Sequence, residues 1–529
     1  MHKFFILFTA LCLSAFASTF AQSNKDKQDL DMAIRKLATT HMAIKALYID
    51  TTNTAQLTDE AIKAMLAQLD PHSSYSNAEE TKKFTEPLNS NFEGIGVQFN
   101  ILNDTLVVVQ TVSKGPSEKA GILAGDRIIA VNDTAIAGVK MARDIIMKKL
   151  RGPKNTIANL DIVRRGVKEV LHFRVVRDKI PLHSLDAAYM IRPGIGLIRI
   201  SNFAVSTRNE VREAIKKLKK QGMTSLILDL QQNGGGYLDA ANGVASEFLN
   251  KGDLVVYTDG RTVPRQTLNA TGDGLFTEGK VAVLVDEYTA SAAEIVSGAI
   301  QDHDRGIIVG RRTFGKGLVQ RPIDLPDGSM IRLTVSHYYT PSGRCIQKPY
   351  QKGKKADYDD DMMKRYNSGE LMHVDSIHFA DSLKCYTLKE KRTVYGGGGI
   401  MPDYFIPLDT TIYTKYYRNL SRKNVILDKY LSYFDNNRKQ LTNKYKKNFN
   451  KFKETFEIPS QLTDSIIAEG KKMNVEAKDD TELKQTIATI KKMLKGLVAR
   501  DIWDMSEYFA IIYDENDVVN KAIELLQQP

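Results

Sequence analysis

The sequence predicts an α/β protein: a mostly parallel sheet, a small β-rich domain inserted ahead of it, and helical regions at both ends. Three observations carry that prediction. Between about Pro181 and Leu408, continuous apolar runs at Gly196–Ile200, Ser225–Leu230, Lys280–Val285 and Gly306–Val309 alternate with helical stretches at Thr207–Gln221, Tyr237–Leu249 and Ala292–Gln301. Unbroken apolar runs are the signature of strands buried on both faces, and strand–helix alternation is that of a parallel sheet. From about Asn91 to Asp178 the texture changes to short β-runs (Leu106–Val112, Arg127–Val131, Ile157–Val163, Glu169–Val175), with turns at Gly115-Pro116 and Gly152-Pro153 and one helix pattern at Lys140–Leu150. Finally, residues 22–90 and 409–529 read as helices. The 529 residues suit about three or four domains. With 42% apolar and 26% charged residues, wholesale disorder, collagen and a coiled-coil rod are excluded.

Residues 1–21 read as an export signal. Lys3 supplies the positive charge, Phe4 to Phe16 the apolar stretch, and Thr19-Phe20-Ala21 a small-residue cleavage site before Gln22. The run is short and rich in Ser, Thr and Ala for a membrane anchor. Cleavage removes one positive charge from the formal +11 and removes Cys12. Cys345 and Cys385 then remain in an oxidising compartment, where they could pair. Two cysteines make no metal framework, and the nine histidines show no HExxH or clustered spacing. No metal or cofactor is expected. Nucleic acid is rejected as a partner for a basic exported protein.

Residues 24–88 place Leu37, Ile44, Leu47, Ile62, Met65, Leu66 and Leu69 at helical spacings until Asp70-Pro71 breaks the pattern. In the third region, residues 346–394 form a polar, Tyr- and Lys-rich insert. The final region is lopsided: Lys415–Lys453 holds 12 basic residues against Asp428 and Asp435, and 454–529 holds 15 acidic against 9 basic. The basic stretch could dock on an adaptor or an anionic envelope surface. The favoured expectation is that it packs against the acidic tail of the same chain.

Chemistry concentrates at three places. Gln231-Gln-Asn-Gly234-Gly235-Gly236 follows a buried strand, where backbone N–H groups could hold an anion or a developing oxyanion, or simply make a tight turn. It lacks the endings of phosphate and dinucleotide loops. Ser291 and Glu294 have the S-x-x-E spacing of a helix capping box, yet the serine also sits where parallel sheets place their sites. A serine nucleophile needs a base. His303, in a polar segment expected at the surface, and His337, on a strand face, are the histidines nearest in sequence. Lys316, in Thr313-Phe-Gly315-Lys316-Gly317, is the better candidate, and to serve as base it must fall from roughly 10.4 to about 7–8 by desolvation.

The stretch Tyr288-Thr-Ala-Ser291-Ala-Ala-Glu294-Ile295, followed by Gly298-Ala299 and Asp302, resembles the nucleophile motif of the C-terminal processing peptidases, or tail-specific proteases. That family pairs its serine with a lysine in a Gly-Lys-Gly turn and a glutamine one helical turn later, and Lys316 and Gln320 match both spacings. The Gly-rich turn resembles the family's Asp-Leu-Arg-x-Asn-Pro-Gly-Gly segment, which implies an oxyanion hole at the N–H groups of Gly235 and Ala292. Here Gln231 replaces the usual Arg and Gly234 the usual Pro. Leu69-Asp-Pro-His-Ser73 and Phe92-Glu-Gly-Ile-Gly96 resemble the family's approach to a PDZ domain, and Gly115–Ile122 with Gly125–Ile128 the PDZ core. Tyr339–Arg344 and Gly399–Asp403 are similar to its closing segments.

The resemblance implies a Clp protease/crotonase-like core (179–408), a PDZ domain (91–178) and a serine endopeptidase acting near the C-terminal tails of exported proteins in the periplasm. Protein substrates would enter by their tails, with the carboxylate caught around Gly94, Ile95, Gly96 and Val97. Arg151 matches a PDZ arginine that in some members couples peptide binding to the catalytic glutamine. An oligomer is compatible with all of this. A non-catalytic PDZ adaptor on a dead core and an acyl-CoA enzyme of crotonase type are the alternatives. The intact Ser291, Lys316 and Gln320 weigh against the first, and export to a place without CoA against the second.

Overall fold

The structure, a computed structural model, describes residues 26–528. The export-signal expectation for 1–21 falls outside them. Six strands form the central sheet in the order Leu185–Arg192, Ile195–Ile200, Ser225–Asp229, Lys280–Val285, Ile307–Gly310, Tyr404–Phe405. The first pairs antiparallel with its neighbour, and every later pair is parallel.

The apolar runs are continuous because both faces are covered, and successive side chains point to opposite faces. Val281, Val283 and Val285 pack under helices Thr207–Lys220, Leu238–Ala245 and Ala292–Asp302. Ala282 and Leu284, between them, pack against helices Met505–Ile512 and Asp517–Gln527. The C-terminal region is therefore split. Residues 415–502 build a helical core of their own around Tyr430, Phe434, Phe452 and Leu494, while the last helices serve as the second cover of the central sheet.

The inserted β-rich domain has its own core around Leu106, Val108, Ile128, Leu160 and Val175. Its sheet begins with Val97–Leu102, an edge strand. A two-stranded ladder, Asn91–Gly94 against Asp178–Pro181, ties its ends together. Helix Val425–Tyr445 braces it from the C-terminal side: Arg127 pairs with Asp435 at 2.6 Å and Arg438 donates to Val109 O at 3.0 Å. Within the basic stretch, Lys429 pairs with Glu469 and Lys453 with Asp514, both acidic residues of the same chain's tail.

The N-terminal region is helical at 26–47, Thr54–Ala67 and Ala78–Leu88, but it also contributes a strand. Ser74–Ser76 pairs antiparallel with Met330–Tyr339, which itself pairs with Leu318–Asp324. The Leu69–Ser73 motif thus lies beside the hairpin of Leu318–Asp324 and Met330–Tyr339. The 346–394 insert forms two short helices and a hairpin, Lys384–Tyr386 with Thr393–Tyr395. Cys345 and Cys385 are free thiols, so the pairing that an oxidising compartment would allow is not made. Their backbones have different partners: Cys345 bridges to Tyr339, and Cys385 lies opposite Val394. Among the described residues no helix is long and apolar enough to cross a membrane.

Candidate active site

Ser291 sits at the junction of strand Lys280–Val285 and helix Ala292–Asp302, with φ +58° and ψ −118°. A side chain other than glycine held in that region carries strain that the surroundings must compensate. Much of the compensation comes from Glu294, which is fully buried and accepts four hydrogen bonds. Its Oε2 takes the N–H of Ser291 at 2.8 Å and the N–H of Lys316 at 2.9 Å. Its Oε1 takes the N–H of Gly315 at 2.8 Å and the hydroxyl of Thr313 at 2.5 Å. One carboxylate thus holds the backbones of the serine and the lysine together. Burial pushes its carboxyl upward, and the four donors oppose that. The S-x-x-E spacing disclosed the contact with Ser291 but not the three to the Lys316 turn.

Lys316 is held from both sides. Gly315 has φ +85°, and a Cβ on Gly317 would come within 2.7 Å of Gln347 N, so the turn takes glycine at each flank. Lys348 N–H donates to Gly315 O and Tyr338 N–H to Gly317 O, each at 2.9 Å. Desolvation lowers the Lys316 ammonium to about 8, assisted by the charge of Arg332 and opposed by Glu294 and Asp70. That is the depression a general base requires.

The Gly-rich turn closes the opposite wall. Gly235 has φ +100°, and a Cβ there would meet Ser291 Cβ at 2.8 Å and Ala292 N at 3.0 Å. Asn233 fixes the turn: its Nδ2 donates to Ile200 O, its carbonyl accepts from Ala290 N–H, and its Oδ1 accepts from Gly235 N–H at 2.8 Å. The Gly235 N–H, expected in the oxyanion hole, is thereby engaged. The N–H groups of Ala292 and Gly236 have no acceptor among the described residues. Arg199 supports the same turn, donating to Gln231 O at 3.0 Å and to Asp229 at 2.5 Å, and Tyr513 from the C-terminal helices also bonds Asp229 at 2.5 Å. Nothing lies within 4 Å of where a Cβ of Gly234 would sit, so the missing proline leaves no steric gap to explain.

Ser291, Ala292, Gly235, Lys316 and Gln320 line one cleft of about 1080 Å³. Gln320 is on strand Leu318–Asp324, not a helical turn, beside a bulge at Val319/Gln320. Its amide donates to Thr334 Oγ1 at 3.3 Å and Leu318 O at 3.5 Å and makes no hydrogen bond with Lys316. Thr334 in turn donates to Asp70 at 2.8 Å, which gives the Leu69–Ser73 motif a place at the site. His303 is buried, its Nε2 bonded to Leu254 O at 2.7 Å, and not at the surface as its polar neighbours suggested. Neither it nor His337 lines the cleft. The histidine facing Lys316 is His72, whose ring is held down to about 3 by burial and by the lysine's charge. It bonds Tyr358 OH at 2.8 Å, out of the insert. Among the described residues, no group of three or more His, Cys, Asp or Glu is arranged for a metal ion.

The 34% identity over 353 residues with the "Carboxy-terminal-processing protease" of Bartonella bacilliformis spans 66% of this chain and 80% of that protein. The chain belongs to the carboxy-terminal-processing protease family. The family is of the serine peptidase type, and the model for peptidase family S41 matches residues 194–359, with a PDZ domain at 94–172 and a family of unknown function at 416–504. The "Carboxy-terminal processing protease CtpA" of Bacillus subtilis is 33% identical over 382 residues, 69% of this chain and 81% of that one. Among solved structures, the photosystem II D1 C-terminal processing protease aligns at 28% identity and a TM-score of 0.33, over 59% of this chain and 89% of that one.

In the PDZ domain, the N–H groups of Ile95 and Gly96 have no acceptor among the described residues, and they precede the free edge strand Val97–Leu102. Gly94 is bridged to Arg151. Arg151 does not reach Gln320. Its guanidinium pairs with Glu86 at 2.6 Å and lies over Phe92, because helix Ala78–Leu88 stands between the PDZ domain and the cleft.

Proposed function

We propose that this chain is an exported, periplasmic serine endopeptidase that trims other exported proteins near their C-terminal tails. The single observation that carries the catalytic reading is Glu294 gripping Ser291 and Lys316 by their backbones, with Lys316 lowered to about 8. Ser291 Oγ attacks the peptide carbonyl while neutral Lys316 takes its proton, and about a tenth of the lysine is neutral at pH 7. The N–H of Ala292, at the N-terminus of its helix, stabilises the oxyanion, with Gly236 the second donor available in the turn. Lys316 passes the proton to the leaving amine. Water then hydrolyses the acyl-enzyme with the lysine again as base. Gln320, held by Thr334, which Asp70 fixes in turn, orients the lysine once substrate fills the cleft. The strain stored at Ser291 favours an enzyme over a non-catalytic adaptor.

The PDZ domain would receive the tail along its edge strand Val97–Leu102, the carboxylate meeting the amides of Ile95 and Gly96. Arg151–Glu86 then offers the route to the cleft, since Phe84 and Leu88 of the Glu86 helix line it. Lys439, Lys444 and Lys447 are exposed and could meet an anionic envelope surface or adaptor. Comparison of periplasmic protein C-termini between cells with the wild-type chain and Ser291→Ala tests the reading. Longer tails on a defined set of proteins in the variant support it, and identical termini contradict it.

A further inference from the structure

The cleft beside Ser291 is electrically one-sided. Arg208, Lys316, Arg321 and Arg332 line it, and Asp239 is the one acidic residue among its lining. Arg208 is already matched by Glu247 at 3.0 Å and Asp273 at 2.5 Å, and Arg321 is exposed. Arg332 is neither. It is half-buried, forms no ion pair or hydrogen bond among the described residues, and its Nε is shut away from solvent with no acceptor. Buried guanidiniums elsewhere in the same domain are matched: Arg311 by Glu287 at 2.6 Å, Arg344 by Asp302 at 2.6 Å, Arg365 by Glu370 at 2.7 Å.

A desolvated cation without a counter-charge works against folding. Burial accordingly pulls the Arg332 guanidinium below its ordinary value. Its geometry is nevertheless fixed. The residue sits inside strand Met330–Tyr339, opposite Ser74 on one side and Pro322 on the other, with its guanidinium over the ring of Phe84 at 4.1 Å. A rigid planar donor, uncompensated and facing a cavity, is suited to a carboxylate that arrives with the ligand.

We propose that Arg332 is a substrate-binding residue that receives a carboxylate of the polypeptide bound in the catalytic cleft. The inference rests on the peptidase reading and deepens it by naming a substrate class: tails that place an acidic group beside the scissile bond. The carboxylate comes either from an Asp or Glu side chain or from the chain terminus. The site also has an electrostatic consequence. The charge of Arg332 helps hold Lys316 down, so a docked carboxylate cancels that influence and moves the lysine upward. Acidic substrates should therefore show the rising limb of kcat at higher pH than their neutral isosteres.

The test uses the purified full chain and four cleavable peptides of one length, with Glu or Gln beside the scissile bond and a free or amidated C-terminus. The wild type, Arg332→Gln and Arg332→Lys are compared by kcat/KM. The wild type should prefer the carboxylate by about tenfold, the size of one lost charge-assisted hydrogen bond. Arg332→Gln should lose that preference and its pH displacement, and Arg332→Lys should keep part of both. Collapse of the Glu/Gln ratio assigns the carboxylate to a side chain, and collapse of the acid/amide ratio to the terminus, since a preference from the PDZ domain survives in Arg332→Gln. Equal ratios in the wild type and Arg332→Gln overturn the proposal. If Arg332→Gln does not fold, a wild type indifferent to both changes overturns it alone. Absence of any Ser291-dependent cleavage is a different failure, which removes the peptidase reading together with this inference.

Discussion

Replacing Glu294 by Gln should slow catalysis without removing any group that touches the substrate. The wild-type carboxylate accepts from Ser291, Lys316 and Gly315 N–H groups and from Thr313 Oγ1. An amide of the same shape has one oxygen. In its less costly orientation the NH2 faces Thr313, whose hydroxyl can accept, and the Gly315 N–H is left unmatched, a loss of roughly 1.5–3 kcal/mol. In the other orientation the NH2 opposes both the Ser291 and Lys316 amides, and the loss is about double. That loss is borne by the fold; the rate suffers through misplacement of Ser291 and Lys316, and a shift of about 1 Å would lower kcat roughly a hundredfold. The negative charge of Glu294 also props up the Lys316 ammonium, so its removal should move the rising limb of the pH profile below about 8. Steady-state cleavage of a peptide from pH 6 to 10, with a thermal melt to separate stability from rate, measures both effects. Wild-type kcat/KM in Glu294→Gln, or a limb displaced to higher pH, would refute the assignment of Glu294 as the residue that positions the pair.

Ser291→Ala and Lys316→Ala should each abolish peptide cleavage in a gel or fluorescence assay. Neither should lower the melting temperature by more than a few degrees, since Lys316→Ala also relieves a desolvated amine. Gly235→Ala should be at least as damaging as Glu294→Gln, because a Cβ at φ +100° meets Ser291 Cβ at 2.8 Å; retained turnover would mean the turn is not apposed to the nucleophile. Tyr513→Phe should cost about 1–3 kcal/mol in denaturant unfolding by leaving Asp229 short of a partner, and an unchanged midpoint would contradict that. Alkylation without reduction should modify both Cys345 and Cys385 with carbamidomethyl groups, and modification of neither would show them paired.

The parallel strands were readable because each is buried on both faces and leaves an unbroken apolar run. Ser225–Leu230 and Lys280–Val285 fall within one residue of the strands observed. Ser291 and Lys316 were singled out by the resemblance to a family motif, since their local sequence alone fits a helix cap and a turn lysine equally well. What lay hidden depends on contacts between distant segments. Nothing local to Asp70 says that it bonds Thr334, 264 residues away. Asn233 Oδ1 competes for the Gly235 N–H, a choice made by the turn's own folding. His303 has polar neighbours yet is buried, because its ring bonds the backbone of Leu254. The last two helices could be recognised as helices, but their role as cover for Ala282 and Leu284 emerges only when the sheet exists.

The central claim is that Ser291 is a nucleophile activated by a neutral lysine. Labelling with a fluorophosphonate, followed by mass-spectrometric mapping of the adduct at a series of pH values, tests it most directly. The account predicts a single adduct on Ser291 whose rate of formation rises with pH around a midpoint of about 8 and is lost in Lys316→Ala. An adduct on another residue, or a midpoint near 6.5 that persists in Lys316→Ala, would contradict it.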